Sequence, residues 1–358
     1  MSPSTWSGTP RNLISALEGL GAEVVPVAAG PTSPLAWKAL RAASKLRRHD
    51  VAFNPAFRRW VGRRTEHLLR GAGVDAALHV CSTSTLPPAG GGLRHALYCD
   101  STWRRMSAQM PRFRVSRTTA RRVDERERAA YARFDHLFTI SEMARDSLID
   151  DYGLPADRVT VVGTGRGRIE PYHGEKDYSS GIVLFACKHA FDQKGGPLLL
   201  EGFRLAQRRL PGLSLVVVGP KELEARVAGV PGVRVTGFLP WEELQELFHT
   251  ASLFAMPAPY EPWGLVYLEA LACRTPLLGL NRNAMPELTG QGRFGFLVDE
   301  PTPQAVADGL VCALADPGRL EEMGRLGQEH CLATYSWERT AGAILSTLSR
   351  GATVEAVP

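Results

Sequence analysis

Short apolar runs alternate with longer amphipathic stretches along the whole chain. The short runs have the length of ordinary β-strands, about five to six residues, and the stretches between them carry apolar residues at helical spacing. This alternation is typical of β-α-β units around parallel sheets, and it argues against a β-sandwich or a helical bundle. The pattern therefore predicts an α/β protein with doubly wound sheets.

The predicted strands fall into two groups. The first group lies at residues 22–27, 74–80, 94–99, 135–140 and 158–162, with helices at 10–20, 34–49, 55–69, 118–134 and 141–152. The second group lies at residues 181–187, 213–219, 233–238, 253–257, 276–280 and 294–298. Helices at 302–315, 319–334 and 337–348 then follow without an intervening strand, so we expect the end of the chain to pack across domains.

The stretch between the two groups is rich in glycine and charge and has no periodicity, as is typical of a linker. A chain of 358 residues also exceeds what one hydrophobic core usually fills. We predict an amino-terminal domain at 1–163, a linker at 164–180, a carboxy-terminal domain at 181–335, and a crossover helix and tail at 336–358.

Bulk properties narrow the class of protein. Hydrophobic residues make up 44% and charged residues 22%, as in soluble globular proteins. No run approaches the ~18 apolar residues of a membrane span, and the first residues form no secretory leader, so a cytoplasmic location is expected. The six cysteines are scattered without a metal-binding spacing, and no Asp-x-Asp motif occurs. We expect neither a metal ion nor another cofactor.

Two glutamates frame the start of a predicted helix after the strand that ends near residue 257. Gly264 allows close approach of the backbone to a ligand, and the amide N–H groups of Leu265 and Val266 would form an anion site at the helix start. Glu269 lies about one turn further on, where a carboxylate suits a vicinal diol such as a ribose. Glu261 precedes the helix, at the strand edge where α/β sheets place ligands. The alternative is that both are ordinary acids stabilised by the helix dipole.

A second group of candidate binding residues follows the first predicted strand of the carboxy-terminal domain. Lys188 and Lys194 straddle a loop that ends in Gly195 and Gly196, just before a predicted helix. Two ammonium groups beside a glycine-rich helix start can neutralise a diphosphate. The alternative is a pair of solvated loop lysines.

These segments, with Ser141-Glu142 and Ser336-Trp337-Glu338, resemble the retaining glycosyltransferases of family 4. The resemblance rests on Glu-x7-Glu followed by Glu-Ala-Leu-Ala and Thr-Pro, and it covers nearly the whole chain. It implies the GT-B fold, in which two Rossmann-like domains face a cleft and a carboxy-terminal helix crosses back to the first domain. It also implies transfer of a sugar from a nucleoside-diphosphate sugar to an acceptor hydroxyl with retention of anomeric configuration.

The resemblance assigns roles to individual residues. Lys188 and Lys194 would hold the donor diphosphate, Glu261 would contact the donor sugar, and Glu269 the ribose. A loop of the first domain would approach the phosphates from the other side of the cleft. The further donor-binding residues that it implies are Gly8, Thr9, Val235, Gly237, Phe238, Gly264, Leu265 and Val266.

The chain departs from the family pattern at four places. Lys188 replaces a usual Arg, and Asp100 replaces the His that many relatives carry after the strand at 94–99, so an acid would join Glu261, Lys188 and Lys194 in catalysis. Arg274 replaces a usual Gly at a helix end. Only six residues precede Ser7, too few and too polar for the strand that opens the fold in relatives, so we predict a five-stranded amino-terminal sheet.

Other functions fit the sequence less well. Residues 163–168 look like a dinucleotide fingerprint of an oxidoreductase, but Arg168 fills the place of its third glycine. A donor-binding GT-B protein with weak or lost transferase activity remains an alternative, because Asp100 and the short start could mark such a loss. A GT-B epimerase or phosphorylase is a further alternative.

The sequence leaves the partners partly open. An arginine-rich stretch with Trp103 near its start, at residues 103–122, would suit an anionic membrane surface or an acidic acceptor, or it forms a solvated helix face. No nucleic-acid-binding motif accompanies it. We expect a nucleotide-sugar donor of unknown base and sugar, and an acceptor that is a saccharide, a lipid or a small molecule.

Overall fold

The computed structural model describes residues 8–28, 55–80, 92–110, 115–188 and 190–349, and also Leu35, Lys38, Ala42 and Pro87. The chain divides into two compact units. One unit comprises residues 1–164 with 337–358, and the other comprises residues 165–336.

The described part of the first unit contains a parallel sheet of four strands in the order β1-β2-β3-β4. Its strands are β1 Ala76–Val80, β2 Arg94–Cys99, β3 His136–Thr139 and β4 Val159–Val161. Its helices up to residue 164 are α1 Thr9–Gly19, α2 Pro55–Arg70, α3 Trp103–Gln109, α4 Arg117–Tyr131 and α5 Glu142–Asp146, continued by a π-helical turn Ser147–Asp151 and a 3₁₀ turn Ala156–Arg158. The middle strands β2 and β3 are buried at every residue except the first, as is typical of parallel sheets covered on both faces.

The prediction of a strand at residues 22–27 is wrong. This segment is irregular, and its side chains are half-buried or exposed. A strand needs a neighbour for its backbone groups, but within the described ranges the sheet ends at β1 on this side. Pro26 also has no N–H to donate. The described sheet therefore has four strands instead of the predicted five, while residues 1–6 and most of the helix predicted at 34–49 lie outside the described residues.

The second unit contains a six-stranded parallel sheet in the order β10-β9-β8-β5-β6-β7. Its strands are β5 Ile182–Ala186, β6 Ser214–Val218, β7 Val233–Gly237, β8 Leu253–Ala255, β9 Leu277–Leu280 and β10 Gly295–Val298. Its helices are α6 Gly196–Gln207, α7 Glu224–Val227, α8 Trp241–Thr250, α9 Leu265–Ala272, α10 Met285–Leu288, α11 Pro303–Leu314 and α12 Pro317–Thr334, with a 3₁₀ turn Lys221–Leu223. All six strands lie within the predicted ranges, so the doubly wound α/β prediction is confirmed.

The order of these strands determines where a ligand site can form. β5 pairs with β6 on one side and with β8 on the other, so the chain reverses its direction of winding beside β5. In open α/β sheets the loops after the strands separate at such a point and leave a crevice at the carboxyl edge. The predicted donor-binding residues of this unit lie in the loop after β5, at the end of β7 and just after it, and in the segment and helix that follow β8.

The last helix, α13 Trp337–Ser349, belongs to the first unit and packs against α1. The hydroxyl of Thr340 donates a hydrogen bond of 3.1 Å to the carbonyl of Val162, and the guanidinium of Arg94 contacts the carbonyl of Leu348. The predicted return of the carboxy-terminal helix to the first domain is confirmed. No helix in the described residues combines the length and apolarity needed to cross a bilayer.

Candidate functional site

Lys194 and Glu261 come together at the carboxyl edge of the second sheet. The Nζ atom of Lys194 contacts the carboxylate of Glu261, and the two side chains are 32% and 11% exposed. Burial lowers the pKa of Lys194. An ion pair in this partly buried place is screened less by solvent than a surface pair, so its two charges act strongly on any group between or beside them.

Two glycines fix the loop that carries Lys194. Gly195 has a φ of 79° and caps α6, and a Cβ there would lie 2.1 Å from the carbonyl oxygen of Pro257. A Cβ on Gly196 would lie 2.3 Å from the ring of Phe191. Gly195 is required because the loop after β5 packs tightly against the segment after β8, whereas at Gly196 the ring of Phe191 in the same loop fills the space of a side chain.

Gly264 opens α9 with a φ of 82° and no side-chain cap. A Cβ on Gly264 would meet the ring of Tyr267 at 2.9 Å and the Cγ atom of Glu261 at 3.1 Å. The glycine thus lets the backbone pass beside Glu261 and leaves the first amide groups of α9, those of Leu265 and Val266, without a capping side chain. This arrangement suits an anionic ligand.

Glu269 lies on α9 and is only 7% exposed. Its Oε1 atom accepts a hydrogen bond of 3.3 Å from the backbone N–H of Arg168. Burial raises the pKa of Glu269 to about 7, and the Arg168 N–H and the charge of Lys188 act in the opposite direction. Glu269 is buried and lies near the charge of Lys188. A hydrogen bond from a ligand hydroxyl to its charged carboxylate would therefore be strong.

Lys188 is exposed on the loop after β5. Its Nζ atom lies 5.8 Å from the ring centre of Trp241, and the guanidinium carbon of Arg168 lies 5.5 Å from the same ring. Cations within about 6 Å of an indole are attracted to its face. Trp241 therefore holds two cationic groups in the neighbourhood of Glu269.

The predicted base loop lies at the end of β7. Val235 pairs with Val217 in the sheet, while Gly237 is buried with a φ of 80°. Phe238, directly after it, is 61% exposed. The left-handed glycine turns the chain out of the sheet, and a large aromatic side chain follows at the surface of this edge.

The remaining predicted site residues belong to the first unit. Gly8 precedes α1 with a φ of 86°, and Thr9 begins the helix and is buried. Asp100 directly follows β2 and is half-buried. That these three residues face the donor together with the residues of the second unit stays a prediction.

Several arginines in the arginine-rich stretch of the first unit pair with acids. Arg104 donates two hydrogen bonds of 2.6 and 2.5 Å to Asp124, and Arg105 lies 3.3 Å from Asp151. Trp103 is buried. The pairing fits the interpretation of a solvated helix face, while Arg112 and Arg114 lie outside the described residues.

Metal-binding side chains do not gather in the part of the chain that the structure describes. No group of three or more His, Cys, Asp or Glu there could hold an ion. The described cysteines are free thiols, and all except Cys312 are buried.

Sequence reasoning missed three residues near the site, namely Gly167, Arg168 and Trp241. Gly167 and Arg168 belong to the predicted linker, where the spacing of the glycines suggests only an imperfect dinucleotide fingerprint. An unexplained glycine in a polar segment indicates close packing of the backbone, and that signal was available. Arg274, the departure at the end of α9, has a φ of 55° and donates a hydrogen bond of 2.9 Å to Gln328.

Known proteins resemble the chain over most of its length. Sequence models of two families match it: "Glycosyltransferase Family 4" at residues 10–166 and "Glycosyl transferases group 1" at residues 175–330. Alpha-maltose-1-phosphate synthase of Mycolicibacterium smegmatis is 29% identical over 247 residues, which cover 60% of this chain and 63% of that protein. The match thus spans less than two thirds of this relative.

Solved structures share the fold. WaaG, a glycosyltransferase involved in lipopolysaccharide biosynthesis, superposes with a TM-score of 0.66 at 15% identity, covering 96% of both chains. Anabaena Alr3699/HepE, solved in complex with UDP and glucose, superposes with a TM-score of 0.60 at 16% identity, covering 94% of this chain and 88% of that one. The solved structures show that the chain has the GT-B fold, and the two family matches, which together cover residues 10–166 and 175–330, show that it belongs to the family 4 glycosyltransferases.

Proposed function

We propose that this protein transfers a sugar from a nucleoside-diphosphate sugar to an acceptor hydroxyl with retention of anomeric configuration. The observation that carries the proposal is the contact between Lys194 and Glu261 beside the uncapped start of α9. Two opposite charges and an anion-binding helix start lie at one sheet edge. These are the groups that a diphosphate and its attached sugar require.

The donor diphosphate would bind at Lys194, Lys188 and the first amides of α9. Negative charge develops on this group as the bond to the sugar breaks. Positive groups that are already in place stabilise that charge without reorganisation, and one such donor is typically worth about 10² to 10³ in rate. The partly buried Lys194 has the stronger effect, because water screens it less than the exposed Lys188.

Glu269 would accept hydrogen bonds from the ribose hydroxyls of the donor. It lies on the second turn of α9, about 6 Å along the axis from the helix start that would hold the phosphates. A carboxylate that accepts hydrogen bonds from hydroxyls favours its ionised form, so donor binding would lower the pKa of Glu269 from its value of about 7. The exposed Phe238 after β7 would lie beside the base.

The chemical step would break the bond between the anomeric carbon and the diphosphate oxygen. The acceptor oxygen forms the new bond on the same face, and its proton passes to the departing diphosphate. When the diphosphate engages Lys194, the carboxylate of Glu261 loses its cationic partner and faces the sugar. The described residues of the second unit supply positioning and electrostatic stabilisation for this step, and no separate nucleophile is invoked.

The proposal is tested first by donor binding. A panel of UDP-, GDP- and ADP-sugars is screened by thermal shift, because a ligand that binds the folded state raises Tm by mass action. We expect one class to raise Tm of the wild type and not that of Glu269→Gln. HepE with its bound UDP and glucose supports the inclusion of UDP-glucose.

Products then distinguish the alternatives. The preferred donor is incubated with candidate acceptors, and the anomeric configuration of the product is read by NMR. A transferase gives a glycoside with the configuration of the donor, an epimerase gives an isomerised donor, and a binding protein returns the donor unchanged. No Tm shift with any donor would contradict the proposal outright.

A further inference from the structure

Gly167 lies directly against the carboxyl group of Glu269. A Cβ built on Gly167 would stand 1.7 Å from Oε1 and 2.6 Å from Cδ of Glu269. These distances are far below any that real Cβ atoms adopt, so the carboxyl group occupies the space that a side chain at residue 167 would fill. The next residue, Arg168, donates its backbone N–H to the same oxygen at 3.3 Å.

Three contacts hold this segment in place. The guanidinium of Arg166 donates to the carbonyl of Tyr335 at 3.3 Å, beyond the end of α12. The guanidinium of Arg168 lies over Trp241, and the N–H of Glu170 bonds the side chain of Gln245 at 3.1 Å, both on α8. These contacts, made by residues on both sides of Gly167, hold Gly167 against Glu269.

We propose that Gly167 and the N–H of Arg168 are positioning elements that fix the Glu269 carboxylate for the donor ribose. The segment engages Oε1 and directs Oε2 toward the ligand. Glycine is required at position 167 because the carboxyl group uses the volume of its absent side chain. This inference rests on the proposed function, since it assigns Glu269 its ligand.

Donor affinity in a double-mutant cycle tests the proposal. Gly167→Ala should raise the Kd of the preferred nucleoside diphosphate at least tenfold by pushing the carboxylate away. In the background of Glu269→Ala, which removes all three atoms that the added methyl group would meet and leaves no carboxylate to displace, Gly167→Ala should change Kd less than threefold. The donor KM should follow Kd, with kcat changing less, because the ribose lies away from the reacting carbon.

Gly212→Ala is the matched control, because a Cβ at that glycine meets nothing within 4 Å. It should leave Kd and Tm unchanged. An unchanged Kd for Gly167→Ala, or an equal factor in both backgrounds, would overturn the proposal, because either result means that residues 167 and 269 act independently.

Folding provides a second readout that needs no ligand. If Gly167→Ala lowers Tm, the double variant Gly167→Ala with Glu269→Ala should recover it, since truncation of Glu269 removes the clash. Absence of recovery would overturn the assignment. If the wild type binds no nucleotide, the proposed function fails. The Tm values of the single and double variants still test the contact between residues 167 and 269, so failure of the proposed function and failure of this inference are distinguishable.

Discussion

The ammonium of Lys194 contacts the carboxylate of Glu261, 67 residues further along the chain. The contact joins the loop after β5 to the segment before α9, which are neighbours only because β5 and β8 pair in the sheet. In the absence of donor, each of these side chains satisfies the other's charge. A diphosphate that takes over Lys194 therefore also changes the electrostatic environment of Glu261.

Removal of the Lys194 charge should impair catalysis more than folding. We expect Lys194→Ala to lower turnover by about 10²- to 10³-fold, because it removes a cation that is in place before charge develops on the leaving group. The measurement is the initial rate of product formation at saturating donor. Arg204→Ala, an exposed cation on α6 paired with Glu201, is the control and should keep full turnover. Unchanged turnover in Lys194→Ala would refute its role.

The stability of the ligand-free protein should fall with rising pH because of Glu269. Its pKa is about 7 in the folded state against an ordinary value of 4.5, so between these values the folded state binds more protons than the unfolded state. This proton is lost as the pH passes 7, and the contribution amounts to roughly 3 kcal/mol of unfolding free energy. Glu269→Gln should lack this decline.

Urea unfolding near pH 5 and near pH 8 measures this effect. The drop in unfolding free energy between the two conditions should be larger in the wild type than in Glu269→Gln. Equal drops would show that Glu269 ionises normally in the folded protein.

The loop that carries Lys194 should not tolerate a side chain at its glycine. Gly195→Ala places a methyl group against the carbonyl of Pro257 in a left-handed backbone conformation. We expect a loss of roughly 1–3 kcal/mol of stability together with weaker nucleotide binding, because relief of the clash moves the loop. Chemical denaturation and calorimetry measure the two effects. A variant as stable and as tight-binding as the wild type would contradict the loop geometry.

Lys176, a half-buried lysine outside the candidate site, should affect stability without affecting nucleotide binding. Lys176 donates to the carbonyls of Phe248 and Cys273, at 2.7 and 3.1 Å, and to the hydroxyl of Thr275 at 2.5 Å. Lys176→Met should destabilise the protein by about 2–4 kcal/mol, because buried acceptors lose their donor. The Kd for nucleotide should stay within about twofold at temperatures where the variant is folded. A large change in Kd would place Lys176 in the functional site.

The second sheet could be predicted from sequence because all of its strands except the edge strand β7 are nearly continuous apolar runs. Such a run is buried on both faces wherever its neighbours lie, so local pattern and final structure agree. Glu261, Lys188 and Lys194 were also visible, since each follows a predicted strand and the carboxyl ends of parallel strands share one edge. The segment at 22–27 was predicted wrongly, because a strand also needs a paired neighbour and the local sequence does not provide one.

Contacts between distant residues could not be predicted in the same way. Arg168 and Glu269 are 101 residues apart, and nothing local indicates that a linker glycine will meet a helix carboxyl group. Trp241 carries no local signal either, since the cations that lie over its ring come from two other segments. The chemistry of the site was thus predictable, but the packing that orients Glu269 was not.

Calorimetric titration of the preferred nucleoside diphosphate tests the central claim most directly. Wild type and Arg204→Ala should bind with the same Kd, whereas Lys194→Ala and Glu269→Gln should each bind at least tenfold more weakly. If the wild type takes up no nucleotide, or if all four proteins bind it equally, the carboxyl edge of the second sheet is not the donor site.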